Sequence, residues 1–398
     1  MTEPLIQVQR SGSVQGAQMI KEMDMILVAE PCLGRDEKEA LNDVIDSGWI
    51  TMGSQVRSFE RKFADMHGVA DAVAVSSCTA GLHLALEAIG VSQGDEVLVP
   101  ALSFVATANA VLYTGATPVF VDIESLDVPI MSPNDAAAKC TPNTRAIIIM
   151  HYGGYMADRQ VWRDFADARG LYLIEDSAHA VGTSRNGIFG DLAVFSFFGN
   201  KNMTTAEGGM VVALDPSLLA LVRQARGHGM TTGTMERLKG GMITYDVTML
   251  GFNYRIDELR GAVGLVQLRH LDEWNDMRRI ATQTYRVLLE EYCPGVLVPF
   301  QSSRPSTHHI MPVLLPRDVD RQRVSDSLRA DGVQTTNHYP PIHWFTWFRT
   351  KFPGISLPST EEFAMRELTL PLHPKLSAAQ VKTVTRSLAK ALEHQLSR

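Results

Sequence analysis

The sequence predicts an α/β protein in which a large domain with a mostly parallel sheet precedes a smaller α+β domain. Between about residues 70 and 215, short runs rich in β-branched residues alternate with segments of helical periodicity. This alternation is typical of a parallel sheet with helices on both faces. After about residue 250 the pattern changes to a long helix, a short strand, further helices and an aromatic loop. We therefore place the large domain at 27–270 and the small domain at 271–398, after an N-terminal extension at 1–26.

Each element of the large domain follows from its local pattern. In 80–90, Leu82, Ala85 and Ile89 are spaced three and four residues apart, as on one face of a helix. The segment 103–115 ends in a glycine, as many helices do. The predicted strands are 71–77, 95–100, 117–123, 144–152, 171–176 and 192–198, and a third helix is predicted over 159–170.

The second half of the chain begins with a long helix. Apolar residues at three-four-three spacing predict it over 250–274, and a charged helix continues to about residue 291; the residues are Ile256, Leu259, Val263 and Val266. The small domain then has a predicted strand in 308–316, a helix near 320–331, a loop rich in proline and aromatic residues at 337–348, and a final helix from near Ser377.

The composition is that of an ordinary globular protein and excludes several functions. The chain has 398 residues and a formal net charge of -7, which argues against a nucleic-acid partner because such partners need a basic face. The uncharged stretch 97–121 contains Pro100, Pro118 and Gly115, so we read it as strand, helix and strand rather than as a membrane span. We therefore expect neither a nucleic-acid partner nor membrane insertion.

The cysteines and histidines predict no metal site and no disulfide framework. Four cysteines are far apart and form no CxxC pair, and the histidines match no familiar ligand spacing. The first 15 residues lack the basic and apolar regions of a signal peptide. We accordingly expect a reducing, cytoplasmic location.

An acid and a lysine follow neighbouring predicted strands. The segment 173–183, LIEDSAHAVGT, places Glu175 and Asp176 where ligands gather in α/β sheets, although either acid could simply cap a turn. Lys201 follows Asp176 by 25 residues, after the next strand. A lone lysine is usually a surface charge, but burial there would lower its pKa and expose a nucleophilic amine. Together the two residues suit pyridoxal phosphate (PLP), whose aldehyde needs a lysine and whose pyridine nitrogen needs an acid.

A second segment has the features of a phosphate site. SSCTAG at 76–81 lies between a strand and a helix, where small residues and free N–H groups accommodate an anion. Thr79 adds a hydroxyl, although the segment could be a plain helix cap. Phe104 lies at the start of the next strand–helix unit. Its ring could cover one face of a flat ligand ring or pack in the core. We interpret Glu207-Gly208-Gly209 mainly as a tight turn that returns the chain to the sheet.

Together these segments resemble the DegT/DnrJ/EryC1/StrS family of sugar aminotransferases, over about residues 27–390. The motifs are SGWITMG (47–53), SSCTAGLHLAL (76–86), ALSFVATANAVLYTGATPVFVDI (101–123), EDSAHAVGT (175–183), FSFFGNKNMTTAEGGMV (195–211) and GFNYRIDELRGAVGLVQL (251–268). The resemblance implies the aspartate-aminotransferase-like, type I PLP fold. Cys78 stands where many members have glycine, and 151–158 lacks their Gln or Pro.

The resemblance also implies a role for each matching residue. Lys201 looks like the Schiff-base lysine, Asp176 like the partner of the pyridine nitrogen, and His179 like a residue near the phenolic oxygen of the cofactor. Phe104 takes the ring-stacking position. The phosphate contacts match Thr79, the backbone at Cys78 and Ala80, and Ser196. Asn253 lies in a motif that reaches the phosphate of the neighbouring subunit, which implies a homodimer with shared active sites.

The resemblance implies transfer of an amino group to a keto sugar, in the first place one linked to a nucleotide, in amino-sugar biosynthesis. By resemblance the donor is an amino acid, L-glutamate in the first place. Lys201 favours amino transfer, because members with histidine there are dehydratases. A cyclitol ketone or a free keto sugar remains an alternative acceptor, and a PLP-binding regulator without turnover remains an alternative of another class.

Overall fold

The computed structural model describes residues 25–183, 188–232 and 244–396. Its main feature is a seven-stranded sheet with the order β1-β7-β6-β5-β4-β2-β3. Only β7 runs antiparallel to its neighbours. The strands are β1 (Val73–Val75), β2 (Glu96–Pro100), β3 (Thr117–Val121), β4 (Thr144–Met150), β5 (Tyr172–Asp176), β6 (Leu192–Ser196) and β7 (Gly209–Ala213). The mostly parallel α/β sheet is thus confirmed.

Helices cover both faces of this sheet. In the first half of the chain they are α1 (Arg35–Asp46), α2 (Ser54–His67), α3 (Cys78–Ala88), α4 (Ala106–Tyr113), α5 (Pro133–Lys139), α6 (Arg159–Asp167) and α7 (Pro216–Ala225). On one face α3, α4 and α7 pack against alternate residues of the strands. On the other face α6 packs at one end of the sheet and α2 at the other. The near-continuous apolar strands reflect this double burial.

The second half of the chain forms a further core around a two-stranded sheet. Its elements are α8 (Glu258–Tyr292), β8 (Met311–Leu314), α9 (Arg321–Ala330), α10 (Thr346–Lys351), α11 (Pro358–Arg366), β9 (Glu367–Leu370) and α12 (Ala378–Leu396). Strands β8 and β9 pair antiparallel, and the C-terminal half of α8 packs with α9, α12 and these strands. The predicted boundary at residues 270 and 271 falls inside α8, and it stays a prediction.

Helix α8 begins later than the sequence pattern indicated. The prediction started it near residue 250, whereas its first residue is Glu258 and Asp257 caps it by accepting a hydrogen bond from the N–H of Arg260. Ile256 is buried but lies before the helix. The apolar spacing therefore extends back across the N-cap, because a cap marks where a helix begins without interrupting the burial of apolar side chains.

The glycine pair after Lys201 does not form the turn. The residue with left-handed backbone there is Ala206, at φ 67, and Gly209 is already the first residue of β7. A Cβ on Gly209 would lie 2.8 Å from the backbone nitrogen of Cys78. The turn that returns the chain to the sheet therefore lies earlier than we predicted, at Ala206 and Glu207. Gly209 is instead small because it must admit the first turn of α3.

No helix within the described residues is long and apolar enough to cross a membrane.

Candidate active site

Asp176 is the last residue of β5 and lies at the carboxyl edge of the sheet between β4 and β6. The side chain is buried, with 4% exposed. Its Oδ2 accepts a hydrogen bond from the Thr107 hydroxyl at 2.8 Å, and its Oδ1 accepts one from the Ala178 N–H at 3.2 Å. Burial raises the pKa of Asp176, while these two hydrogen bonds and the charge of Lys201 oppose the rise. The carboxylate is thus fixed in direction and kept out of water.

Lys201 lies in the turn that follows β6, where its N–H donates to the carbonyl of Phe198 at 3.0 Å. Although the residue keeps some accessible surface, burial lowers the pKa of its amine to about 8, and the nearby Cys78 thiol and Asp176 oppose the shift. In the described part of the chain no ion pair joins Lys201 to Asp176. An amine of this kind is neutral, and so nucleophilic, in about a tenth of molecules at pH 7, against fewer than about one in a thousand for an ordinary lysine.

The neighbour of Lys201 fixes this turn to the rest of the molecule. Asn202 donates to the side chain of Asn275 on α8 at 2.7 Å and to the carbonyl of Thr307 at 2.9 Å. Its Oδ1 lies 2.7 Å from Nδ1 of His309. The His309 ring in turn lies 4.2 Å from that of His179. The two halves of the chain therefore meet directly behind the lysine.

His179 is buried and neutral, and its hydrogen bonds define its tautomer. The Gly153 N–H donates to Nδ1 at 3.3 Å. Burial lowers the pKa of His179 well below its ordinary value. Since Nδ1 accepts, the single ring proton is on Nε2, which lies 2.8 Å from the Tyr339 hydroxyl. His179 therefore presents an N–H donor rather than a base on this side.

The N-terminus of α3 lies beside the end of β6 and retains free N–H groups. Ser77 caps the helix by accepting from the N–H of Ala80 at 3.1 Å. The segment can both cap the helix and bind a phosphate. The cap uses the N–H of Ala80, whereas the first N–H groups of the helix, at Cys78 and Thr79, have no intrahelical partner. Ser196, the last residue of β6, is paired with Gly209. These groups suit a phosphate.

Phe104 lies at the mouth of the site and is 58% exposed. It does not pack in the core, which was the alternative interpretation. Its ring faces that of Tyr339, with centroids 6.1 Å apart. An apolar ring left open beside a buried carboxylate and a lysine is placed to cover a flat aromatic ligand.

Asn253 is exposed in this single chain. Its neighbour Tyr254 accepts a hydrogen bond from the N–H of Ser76, at the entrance to the phosphate segment. Leu250 and Val247 nearby are 78% and 53% exposed. Asn253 therefore lies on a surface with unburied apolar side chains.

Glu175 has a different task from its neighbour Asp176. It is fully buried and accepts hydrogen bonds from the N–H groups of Phe189 and Gly190, at 2.8 and 2.7 Å. His151 Nε2 lies 2.9 Å from its other oxygen. The turn-capping role considered for these acids applies instead to Asp176, whose Oδ1 accepts from the N–H of Ala178 two residues on. Glu175 fixes the backbone of 189–190. Segment 184–189 is one of the loops, with 337–348 and the N-terminal segment, that we expect to bind the acceptor, and its residues 184–187 lie outside the described residues.

Sequence reasoning missed Thr107 and Gly153 and named Tyr339 only as part of a loop. Thr107 is a buried hydroxyl in the first turn of α4, and nothing in its local sequence separates it from a packing residue. Gly153 and Tyr339 act through His179, from 26 and 160 residues away. Only the fold shows these partnerships.

The residues present fit PLP on the geometry of this chain. Asp176 supplies a fixed buried carboxylate, Lys201 an amine of lowered pKa, α3 free N–H groups, and Phe104 an open ring. Gly209 keeps the approach to α3 clear.

Comparison with known proteins decides the family. The model of the DegT/DnrJ/EryC1/StrS aminotransferase family matches residues 31–389. The chain belongs to this aminotransferase family. It is a PLP-dependent aminotransferase of the type I fold, as the resemblance implied.

Individual relatives of this aminotransferase cover almost the whole chain. A dTDP-4-dehydro-2,3,6-trideoxy-D-glucose 4-aminotransferase from Saccharopolyspora spinosa is 38% identical over 387 residues, covering 94% of this chain and 98% of the relative. The crystal structure of the aminotransferase TlmJ from Streptoalloteichus hindustanus is 34% identical with a TM-score of 0.85, covering 93% and 99%. The putative sugar aminotransferase Spr1654 from Streptococcus pneumoniae, in its PMP form, is 26% identical with a TM-score of 0.85, covering 93% and 99%.

Proposed function

We propose that this aminotransferase moves an amino group from L-glutamate to a keto sugar linked to a nucleotide. The observation that carries the proposal is the buried pair of Asp176 and a lysine whose pKa burial lowers to about 8. The relative from Saccharopolyspora spinosa, which is named for a dTDP-linked sugar, supports this class of acceptor.

The residues divide the work of the reaction. PLP, when bound, accepts the electrons of the broken Cα–H bond of the donor. Asp176 would keep the pyridine nitrogen protonated, because its buried carboxylate is held in direction by Thr107. Lys201 would hold the cofactor at rest and, once displaced by the donor, would take and return the proton of the donor Cα. His179 would lie near the phenolic oxygen of the cofactor, and Thr79, Ser196 and the backbone at Cys78 and Ala80 would hold its phosphate.

A panel of keto sugars tests the reaction. Purified enzyme is assayed with glutamate and with UDP-, GDP- and dTDP-linked keto sugars, beside cyclitol ketones and free keto sugars. We expect turnover only with a nucleotide-linked sugar. Turnover of a cyclitol or free sugar alone would favour the alternative acceptor. If glutamate does not convert the bound cofactor to its amine form at all, the protein is a binder without turnover.

Lys201→Ala tests the catalytic assignment. Loss of a positioned proton carrier costs about 10²–10⁴-fold in rate, so we expect at least this loss with PLP still bound. A variant that turns over at the wild-type rate would refute the role of Lys201. Lys375→Ala serves as the control, since Lys375 pairs with Glu30 at the surface.

We further propose a homodimer with shared active sites. The exposed Asn253 beside exposed Leu250 and Val247 supports it, because apolar side chains of this kind are commonly covered by a partner. Mixing Lys201→Ala with Asn253→Ala protein tests it. Mixed dimers would regain one intact site, so activity should rise toward about a quarter of the wild-type level. No gain after subunit exchange would contradict sharing.

The location is proposed to be the cytoplasm. The four cysteines are all free in the structure, which suits a reducing compartment. Fractionation of the native host with an antibody to the protein would test this.

A further inference from the structure

Tyr339 faces the space between the cofactor-binding residues and the small-domain core. Its ring lies 6.1 Å from that of Phe104 and 6.0 Å from that of His179, nearly parallel to the latter at 29°. Phe104 marks the open mouth of the site. A side chain between these two residues is placed beside the reacting groups, although nothing in the assigned chemistry uses it.

The hydrogen bonds of His179 leave the hydroxyl hydrogen of Tyr339 uncommitted. The Gly153 N–H occupies Nδ1, so the proton of the neutral ring is on Nε2 and is donated to the Tyr339 oxygen. Tyr339 accepts this bond and still has its own hydrogen to donate. Within the described residues no oxygen accepts that hydrogen. A phenol of this kind is a ready donor to a ligand oxygen.

The backbone before Tyr339 is held from two sides. Glu367, which is fully buried in β9, accepts from the N–H of His338 and from the Asn337 side chain, both at 2.9 Å. On the other side the Tyr152 hydroxyl donates to the carbonyl of His338. The position of Tyr339 is therefore fixed before any ligand arrives, which is the condition for an effective hydrogen bond.

We propose that Tyr339 donates its hydroxyl hydrogen to an oxygen of the keto-sugar acceptor and so selects and orients that substrate. The inference rests on the proposed function. Burial raises the pKa of Tyr339, so the phenol keeps its hydrogen at every pH at which the enzyme is studied. A sugar offers several oxygen acceptors, whereas glutamate brings its oxygens as carboxylates to the first half of the reaction.

Tyr339→Phe separates the two halves of the reaction. The PLP form is mixed with glutamate and the change of cofactor absorbance is followed; the amine form is then mixed with the keto sugar and the reverse change is followed. We expect the glutamate half to stay within about twofold of wild type. In the half-reaction with the keto sugar, the sugar concentration that gives half of the maximal rate should rise about tenfold, because one hydrogen bond to the sugar is lost.

An equilibrium measurement accompanies the kinetics. Calorimetric titration of the amine form with the amino-sugar product should show a dissociation constant raised about tenfold in Tyr339→Phe. Tyr155→Phe is the matched control, since the Tyr155 hydroxyl lies 3.4 Å from Nδ1 of His308 and has no place in the site. The melting temperature and the cofactor absorbance of both variants verify that they fold and bind PLP.

The outcomes distinguish the two proposals. If wild type aminates a nucleotide-linked sugar and Tyr339→Phe matches it in both halves, the role of Tyr339 is refuted and the proposed function stands. If the variant slows the glutamate half equally and shifts the pH titration of the cofactor absorbance, Tyr339 acts on the cofactor and the inference is overturned. If wild type aminates no sugar, both proposals fail.

Discussion

Thr107 donates a hydrogen bond to Asp176 at 2.8 Å, joining the first turn of α4 to the end of β5. Ser103 lies 2.8 Å from the same threonine hydroxyl and extends the network. Since the three side chains are buried, the carboxylate has little water to stabilise its charge. The threonine hydroxyl thus replaces part of the hydrogen bonding that water gives to an exposed carboxylate.

Replacing Thr107 with valine keeps the shape and removes this bond. Hydrogen bonds to charged groups contribute about 1.5–3 kcal/mol, so we expect kcat/KM to fall about tenfold or more. The pKa of Asp176 should rise, because its charged form loses a donor, and the acid limb of the pH–rate profile should move to higher pH. The exposed Thr284→Val, whose hydroxyl bonds within α8, is the control. Identical profiles for Thr107→Val and wild type would contradict the role.

Lys201 should capture PLP with a distinctive pH dependence. Burial lowers its pKa to about 8, and only the neutral amine attacks the aldehyde. In enzyme freed of cofactor, the capture rate should rise about tenfold per pH unit up to about pH 8 and then level off. Stopped-flow absorbance measures this rate. The reference is free lysine whose α-amine is acetylated, so that only the side-chain amine reacts. A rate that keeps rising to about pH 10 would show an ordinary lysine.

Gly209→Ala should weaken cofactor binding. Its Cβ would lie 2.8 Å from the Cys78 nitrogen, so the N-terminus of α3 must shift at a cost of about 1–3 kcal/mol. We expect the dissociation constant of PLP, measured by equilibrium dialysis, to rise about tenfold. Gly199→Ala in the same segment meets no atom within 4 Å and should bind normally. Equal affinities in both variants would show that α3 does not need this space.

Glu60 and Arg226 form a buried ion pair whose disruption should destabilise the fold. Both residues are 3% exposed, and Arg226 Nη1 lies 2.6 Å from Glu60 Oε1. Glu60→Gln leaves the guanidinium without a counter-charge, which typically costs about 3–5 kcal/mol. Urea unfolding of the cofactor-free protein measures this change. Glu39→Gln, which breaks the exposed pair with Arg35, should cost at most about 1 kcal/mol; equal effects would contradict the distinction.

Local pattern was enough for the elements that build the sheet. Strands such as Tyr172–Asp176 are short apolar runs bounded by turn residues, and α3 shows its apolar spacing and its Ser77 cap within a few residues. The chemistry of Lys201 and Asp176 was visible for the same reason. Asp176 ends one recognisable strand and Lys201 follows the next, and parallel strands bring their carboxyl ends together.

Long-range contacts account for what the sequence did not show. Helix α2 begins after Gly53, which has no capping side chain. Its cap is Glu258, which accepts from the N–H groups of Gly53 and Val56 at 2.8 and 2.9 Å across more than 200 residues. The bond between Tyr339 and His179 spans 160 residues. Ala206 takes a backbone conformation that favours glycine, so no turn signal marked it.

Helix α8 has a mechanical consequence for the whole molecule. Its 35 residues extend about 52 Å; Gly261 and Gly264 admit α2 closely at one end, and Tyr285 and Leu289 belong to the second core at the other. Neither core can lose this helix and stay folded. Unfolding should accordingly proceed as one cooperative transition. A fragment that ends at residue 270 would lack the C-terminal part of α8, which packs in the second core.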